Sequence, residues 1–200
     1  MIYNILEPYF ADYPFTNIFR YISFRSGCAI FTSLLISFLI GPKIINFLKS
    51  KQKFGQPIRD DGPKSHIKSK SGTPTMGGIM IIISMLISVF LWTDLKNQYV
   101  WIAIFSVVSF AFIGMLDDVL KLRRNSHRGI SGKLKMSLQL FFGLIIIIWL
   151  NQVADSEAIN LLHFPFFKNL ILDLGWFYIP FALIVIIGSS NAVNLTDGLD

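Results

Sequence analysis

Five apolar blocks, each close to the length needed to cross a bilayer, restrict this 200-residue chain more than any other feature. They run from about Tyr21 to Ile40, Met76 to Trp92, Tyr99 to Leu116, Leu134 to Leu150 and Trp176 to Ser190. A helix needs about 20 mainly apolar residues to span the hydrocarbon layer. Inside that layer every main-chain polar group must be satisfied within the protein. The fold class that follows is all-α, a polytopic transmembrane helix bundle of about five spans, read as a single transmembrane domain over 1–200. Composition agrees, with 53% hydrophobic and only 15% charged residues, where a soluble domain carries about 25% charged. There is no sequence repeat and no low-complexity tract.

The charges sort by loop. Lys43, Lys49, Lys51, Lys53, Arg59, Lys64, Lys68 and Lys70 lie between the first two blocks. Lys121, Arg123, Arg124, Arg128, Lys133 and Lys135 lie between the third and fourth. These are fourteen of the eighteen basic residues, and basic loops stay on the cytoplasmic side. The expected topology therefore puts the N-terminus outside, both long basic loops inside, and Asp200 back on the cytoplasmic side. Topology and contact with anionic membrane lipids account for part of this charge; no nucleic-acid partner is expected. The segment Met1–Phe19, with Glu7, Asp12 and several aromatics, reads as an amphipathic surface segment and not a cleaved signal. The outer loop, Asn151–Gly175, has room for a small hairpin, because Phe164-Pro165-Phe166 disfavours helix. His163 within it reads as a surface residue. Cys28, the single cysteine, reads as a small buried apolar residue.

Three polar clusters fall at the expected cytoplasmic boundary. Asp117-Asp118 directly follows an apolar run. A carboxylate within the bilayer costs about 2.5–3.5 kcal/mol on insertion scales, and two adjacent ones repel. A hard divalent cation relieves that repulsion, since Mg²⁺ is commonly held by one or two carboxylates together with substrate phosphates. The competing reading is a solvated helix end followed by Lys121. In the second cluster, Asn191, Asn194, Asp197 and Asp200 recur every third residue and form one drifting polar stripe on a helix. The third runs from Asp61 through Lys64, His66, Lys68, Lys70, Gly72 and Thr75 to Gly77-Gly78. Basic side chains, hydroxyls and main-chain N–H groups in a turn-rich loop suit phosphate oxygens. His66 and His127 carry little weight alone, and Gly77-Gly78 read as helix-packing positions.

Together the strings Gly62-Pro-Lys-Ser-His66, Gly72-Thr-Pro-Thr-Met-Gly-Gly78, Asp117-Asp118 and Asn191–Asp200 resemble the phospho-N-acetylmuramoyl-pentapeptide-transferase family. This is a branch of the polyprenyl-phosphate sugar-1-phosphate transferases, and the Gly72–Gly78 string is what narrows the resemblance to it. The resemblance implies a Mg²⁺-dependent enzyme of the bacterial inner membrane with its site on the cytoplasmic face. Its substrates would be UDP-N-acetylmuramoyl-pentapeptide and undecaprenyl phosphate, its products lipid I and UMP in peptidoglycan synthesis. It further implies that Asp117 and Asp118 lie near the lipid phosphate, as catalytic groups and metal ligands. Lys70 and Thr75 would contact the uridine diphosphate, and Asn191, Asn194, Asp197 and Asp200 would line the nucleotide and metal region. Relatives continue beyond the point matching Asp200, so residues 1–200 alone are expected to hold an incomplete site with little activity. Small residues such as Gly114 and Gly143 leave room for a partner, including a homodimer. The rival readings are the sister branch transferring N-acetylglucosamine phosphate and, in a different class, a cation or proton transporter.

Overall fold

The computed structural model describes residues 1–52, 74–124, 126, 129–154, 160–167 and 169–199, with side chains to residue 195. Of the residues singled out above, Lys53, Arg59, Asp61, Gly62, Lys64, His66, Lys68, Lys70, Gly72, His127, Arg128 and Asp200, and the side chain of Asp197, lie outside the described set. The described residues form two compact units, Met1–Ser131 and Gly132–Asp200, each taken by itself.

The first unit opens with a short helix, α1 (Ile2–Leu6), and two 3-10 turns, Glu7–Tyr9 and Pro14–Arg20. Three long helices follow: α2 (Ile22–Lys51), α3 (Gly78–Trp92) and α4 (Gln98–Arg124). The second unit holds α5 (Gly132–Val153), a two-stranded antiparallel hairpin of β1 (Leu161–His163) and β2 (Ile171–Asp173), and α6 (Tyr178–Leu199). Leu161 pairs with Asp173 and His163 with Ile171, so the loop between the fourth and fifth apolar blocks does hold a hairpin. Four helical segments are long and apolar enough to cross a membrane: Ile22–Lys51, Gln98–Arg124, Gly132–Val153 and Gly175–Leu195. The fifth, α3, has 15 residues, a rise of about 22 Å, which is short of the hydrocarbon thickness. The protein is a polytopic helical membrane protein.

Three helices outrun the apolar blocks that predicted them. The sequence puts the first stop at Gly41-Pro42, yet α2 continues to Lys51 with Pro42 inside it. Proline removes one main-chain donor, and a membrane helix tolerates that when its neighbours are packed close. Gly41 provides the close packing: it is buried, and a Cβ there would lie 3.0 Å from Met80 Sδ of α3. Leu48 is buried in the extension and gives it an apolar anchor beyond the proline. The other two extensions carry the polar clusters. Helix α4 runs past Asp117 and Asp118 to Arg124, and α6 runs past Ser190 to Leu199.

At the other end of the first unit, the N-terminal segment closes over the end of α3. The Met1 ammonium donates to the carbonyls of Phe90, Leu91 and Thr93, which are among the unpaired carbonyls at that helix terminus. Burial holds this amine below its ordinary pKa, with the Asp94 charge pulling the other way. The Asn4 side chain donates to Asp94 at 2.7 Å and accepts from the Leu95 N–H at 3.0 Å. Trp92 donates to Thr32 Oγ1 at 3.0 Å and stacks on Phe19, while Arg25 lies 4.1 Å over the Tyr3 ring. Cys28 is half-buried, less than the full burial expected from the sequence.

Candidate active site

Asp117 and Asp118 sit within α4, not at its end. Lys121 is four residues after the first and three after the second, so one ammonium covers both carboxylates. It forms an ion pair with Asp117 and lies 3.7 Å from Asp118 Oδ1. A solvated helix end would leave two like charges to water. Here the ammonium offsets their repulsion, and the side chains remain only 16% (Asp117) and 28% (Asp118) exposed.

Two further segments converge on the pair. The Ile130 N–H donates to Asp117 Oδ1 at 2.7 Å. Gly129 makes this approach possible, because a Cβ there would lie 2.0 Å from the same oxygen. The Arg124 guanidinium reaches the Gly129 carbonyl at 3.4 Å, tying the turn to the last residue of α4. From the other side, the Thr75 hydroxyl donates to Asp118 Oδ2 at 2.9 Å across 43 residues of sequence. Thr75 is itself gripped through its main chain: its N–H donates to Gln52 Oε1 at 2.9 Å, and its carbonyl accepts from Gln52 Nε2 at 3.2 Å. Met76, next in the chain, has φ +71°, a left-handed conformation costing a non-glycine residue about 1–2 kcal/mol. The result is a cluster of two carboxylates, one ammonium and one hydroxyl, each with a fixed partner. Both Asp117 oxygens are engaged, whereas Asp118 Oδ1 has its nearest cation at 3.7 Å.

In the second unit the stripe on α6 divides. The Asn191 amide donates to Gln139 Oε1 and to the Ile187 carbonyl, both at 3.0 Å, and accepts from Gln139 Nε2 at 3.4 Å. Gln139 of α5 is only 2% exposed, so the exchange is an interhelical lock in an apolar setting. Asn194, one step along the stripe, is exposed. Asp197 falls on the same helix by its backbone position. Gly143 of α5 also serves packing within the chain, because a Cβ there would lie 2.9 Å from Leu183 Cδ2 of α6. Gly114 has nothing within 4 Å of such a carbon.

The sequence singles out Asp117, Asp118 and Thr75, and the fold joins them in one cluster. Gln52, Gly129, Ile130 and Gln139 gave no sign in the sequence. Lys121 did carry one, the i+3 and i+4 spacing to both acids. Among the described residues no group of three or more His, Cys, Asp or Glu is gathered. A metal held by the described part of this site would have the carboxylate pair as its acidic ligands. Paired carboxylates suit a hard ion such as Mg²⁺.

Fold and site together define a helical membrane protein with a paired-carboxylate centre on the extended end of one of its long helices. Residues 100–200 match glycosyl transferase family 4, and residues 70–82 match phospho-N-acetylmuramoyl-pentapeptide-transferase signature 1. The chain belongs to glycosyl transferase family 4. It is 56% identical over all its 200 residues to a phospho-N-acetylmuramoyl-pentapeptide-transferase of Rickettsia prowazekii (strain Madrid E). It is 54% identical over the same length to one of Rickettsia bellii (strain OSU 85-389), and 56% to one of Rickettsia akari (strain Hartford). In each case it covers 55% of the relative, so the chain spans about half the length of the curated relatives it matches.

Proposed function

We propose that the protein transfers phospho-N-acetylmuramoyl-pentapeptide from its UDP-linked form to undecaprenyl phosphate, releasing UMP and forming lipid I for peptidoglycan synthesis. The observation that carries this reading is the Thr75–Asp118 hydrogen bond. Thr75 lies inside the signature match and Asp118 inside the family match, so a branch-specific loop is tied directly to the acid pair. The relatives' names support the same reaction.

The chemistry exchanges one phosphate linkage for another. Overall, the bond from the sugar-bearing phosphorus to UMP breaks and a bond from that phosphorus to an oxygen of the lipid phosphate forms. Such a reaction asks mainly for positioning and for neutralisation of phosphate charge. Asp118, with its less engaged oxygen, and Asp117, held by Lys121 and Ile130, would orient the lipid phosphate or take its proton. Among the described residues, Lys121 offers positive charge beside both carboxylates. Lys70 and Thr75 would contact the uridine diphosphate, and Asn191, Asn194, Asp197 and Asp200 would line the nucleotide region. Mg²⁺, held by Asp117 and Asp118 together with substrate oxygens, would supply Lewis-acid neutralisation of the phosphate charge. The fourteen basic residues of the two long loops support a site on the cytoplasmic face of the bacterial inner membrane, where a soluble nucleotide would meet a membrane lipid.

The test is UMP release by the whole gene product in detergent, given both substrates, with and without Mg²⁺. Metal-dependent release that is lost in Asp117→Asn and Asp118→Asn is the expected result. Release from UDP-N-acetylglucosamine in place of the muramyl substrate would move the protein to the sister reaction. Cation flux into vesicles without UMP release would replace the transferase reading by a transporter.

A further inference from the structure

We infer that Gln52 is a positioning residue for the acid pair, acting through Thr75; the inference rests on the transferase reading above. Gln52 is the first residue beyond α2, and its own N–H is bonded to the Leu48 carbonyl at 2.9 Å, so its backbone is fixed to the helix. Helix α2 is fixed in turn to α3 by the close approach at Gly41 and Met80. From this anchor the Gln52 carboxamide makes one donated and one accepted bond to the main chain of Thr75. Among side chains only an amide can both donate and accept in this planar, two-point manner. The pairing reproduces one rung of a strand ladder between a side chain and a backbone. It fixes both the place and the rotation of Thr75 just before the left-handed turn at Met76.

The fixed Thr75 main chain is what aims the hydroxyl at Asp118 Oδ2. A hydrogen bond made elsewhere by Thr75 would leave that oxygen facing solvent or Lys121. Among the described residues, Gln52 hydrogen-bonds to the Thr75 main chain and the Leu48 carbonyl, and its side chain carries no charge. Its contribution passes through one residue to the group that meets substrate. The order of dependence is therefore definite: α2 holds Gln52, Gln52 holds the Thr75 backbone, and the Thr75 hydroxyl holds Asp118.

The experiment is steady-state kinetics of the whole gene product with Gln52→Leu, Thr75→Val and the double variant, alongside exchange of the Thr75 amide proton. Leucine keeps the bulk of glutamine and removes both bonds. Expected for Gln52→Leu are kcat lowered about tenfold, KM for the lipid phosphate within about twofold of the parent, and faster exchange of the Thr75 amide. The double variant should be no slower than Thr75→Val alone, because the clamp then has no hydroxyl to aim. Losses that multiply in the double variant would overturn the route through Thr75. So would an unchanged kcat beside faster amide exchange, or a rise in KM alone. A parent that releases no UMP would sink the transferase reading. A parent that turns over while Gln52→Leu matches it would sink the positioning role only.

Discussion

Replacing Gly129 by alanine should disarm Asp117 without touching it. The added carbon would lie 2.0 Å from Oδ1, 2.5 Å from Cγ and 2.9 Å from Oδ2 of Asp117, where contacts under 3.0 Å are essentially never seen. Relief requires the carboxylate or the turn to withdraw by about 1 Å. Either movement breaks the 2.7 Å bond from the Ile130 N–H. A hydrogen bond to a charged group contributes about 1.5–3 kcal/mol, so the variant should lose about 2 kcal/mol of stability. A displacement of about 1 Å at a reacting group can lower turnover about 100-fold. The assay is UMP release by the whole gene product, with the thermal midpoint in detergent measured on the same preparation. Gly132→Ala is the control, since nothing lies within 4 Å of a carbon added there. Turnover of Gly129→Ala within about threefold of the parent would refute the reasoning, because the cradle would then be unnecessary to Asp117.

Two other perturbations probe packing and charge. Asn191→Leu or Gln139→Leu alone leaves the partner amide without its bond between α5 and α6 and should cost about 1–2 kcal/mol, while the double leucine variant should return most of it; thermal unfolding in detergent reads both. The Lys96 ammonium is raised above its ordinary value of 10.5, first by its hydrogen bond to Glu7 and then by the same carboxylate's charge. A raised folded pKa means that this contribution is fully present below about 10.5 and is lost as pH rises through the higher folded value. Lys96 is fully exposed, so the parent's alkaline decline in melting temperature should exceed that of Lys96→Met only slightly, and less in high salt.

The match between chain and structure follows the range of the forces involved. The helical membrane class and the order of the helices were legible, and Asp117 and Asp118 stood out, because hydropathy and the cost of charge in a bilayer act on consecutive residues. The β1–β2 hairpin was legible for a similar local reason, the Phe164-Pro165-Phe166 break. Helix ends were not. Apolar content marks where lipid would be, whereas α2, α4 and α6 run on because polar helix carries its own main-chain bonds beyond that layer. Gly143 looked from sequence like a place for a partner, and Leu183 of the same chain packs against it instead.

By itself, then, the sequence determined a polytopic helical protein with paired acids at the end of an apolar run and a branch-specific loop before the second block. Tertiary structure alone decided that Thr75 bonds Asp118, that Gln52 grips Thr75, that Gly129 leaves room for Asp117, and that Asn191 locks to Gln139. Apart from the turn at Gly129, these partners stand between 23 and 52 residues apart. Hydrogen bonds act over about 3 Å of space, and no periodicity along a chain records which distant segments will come that close.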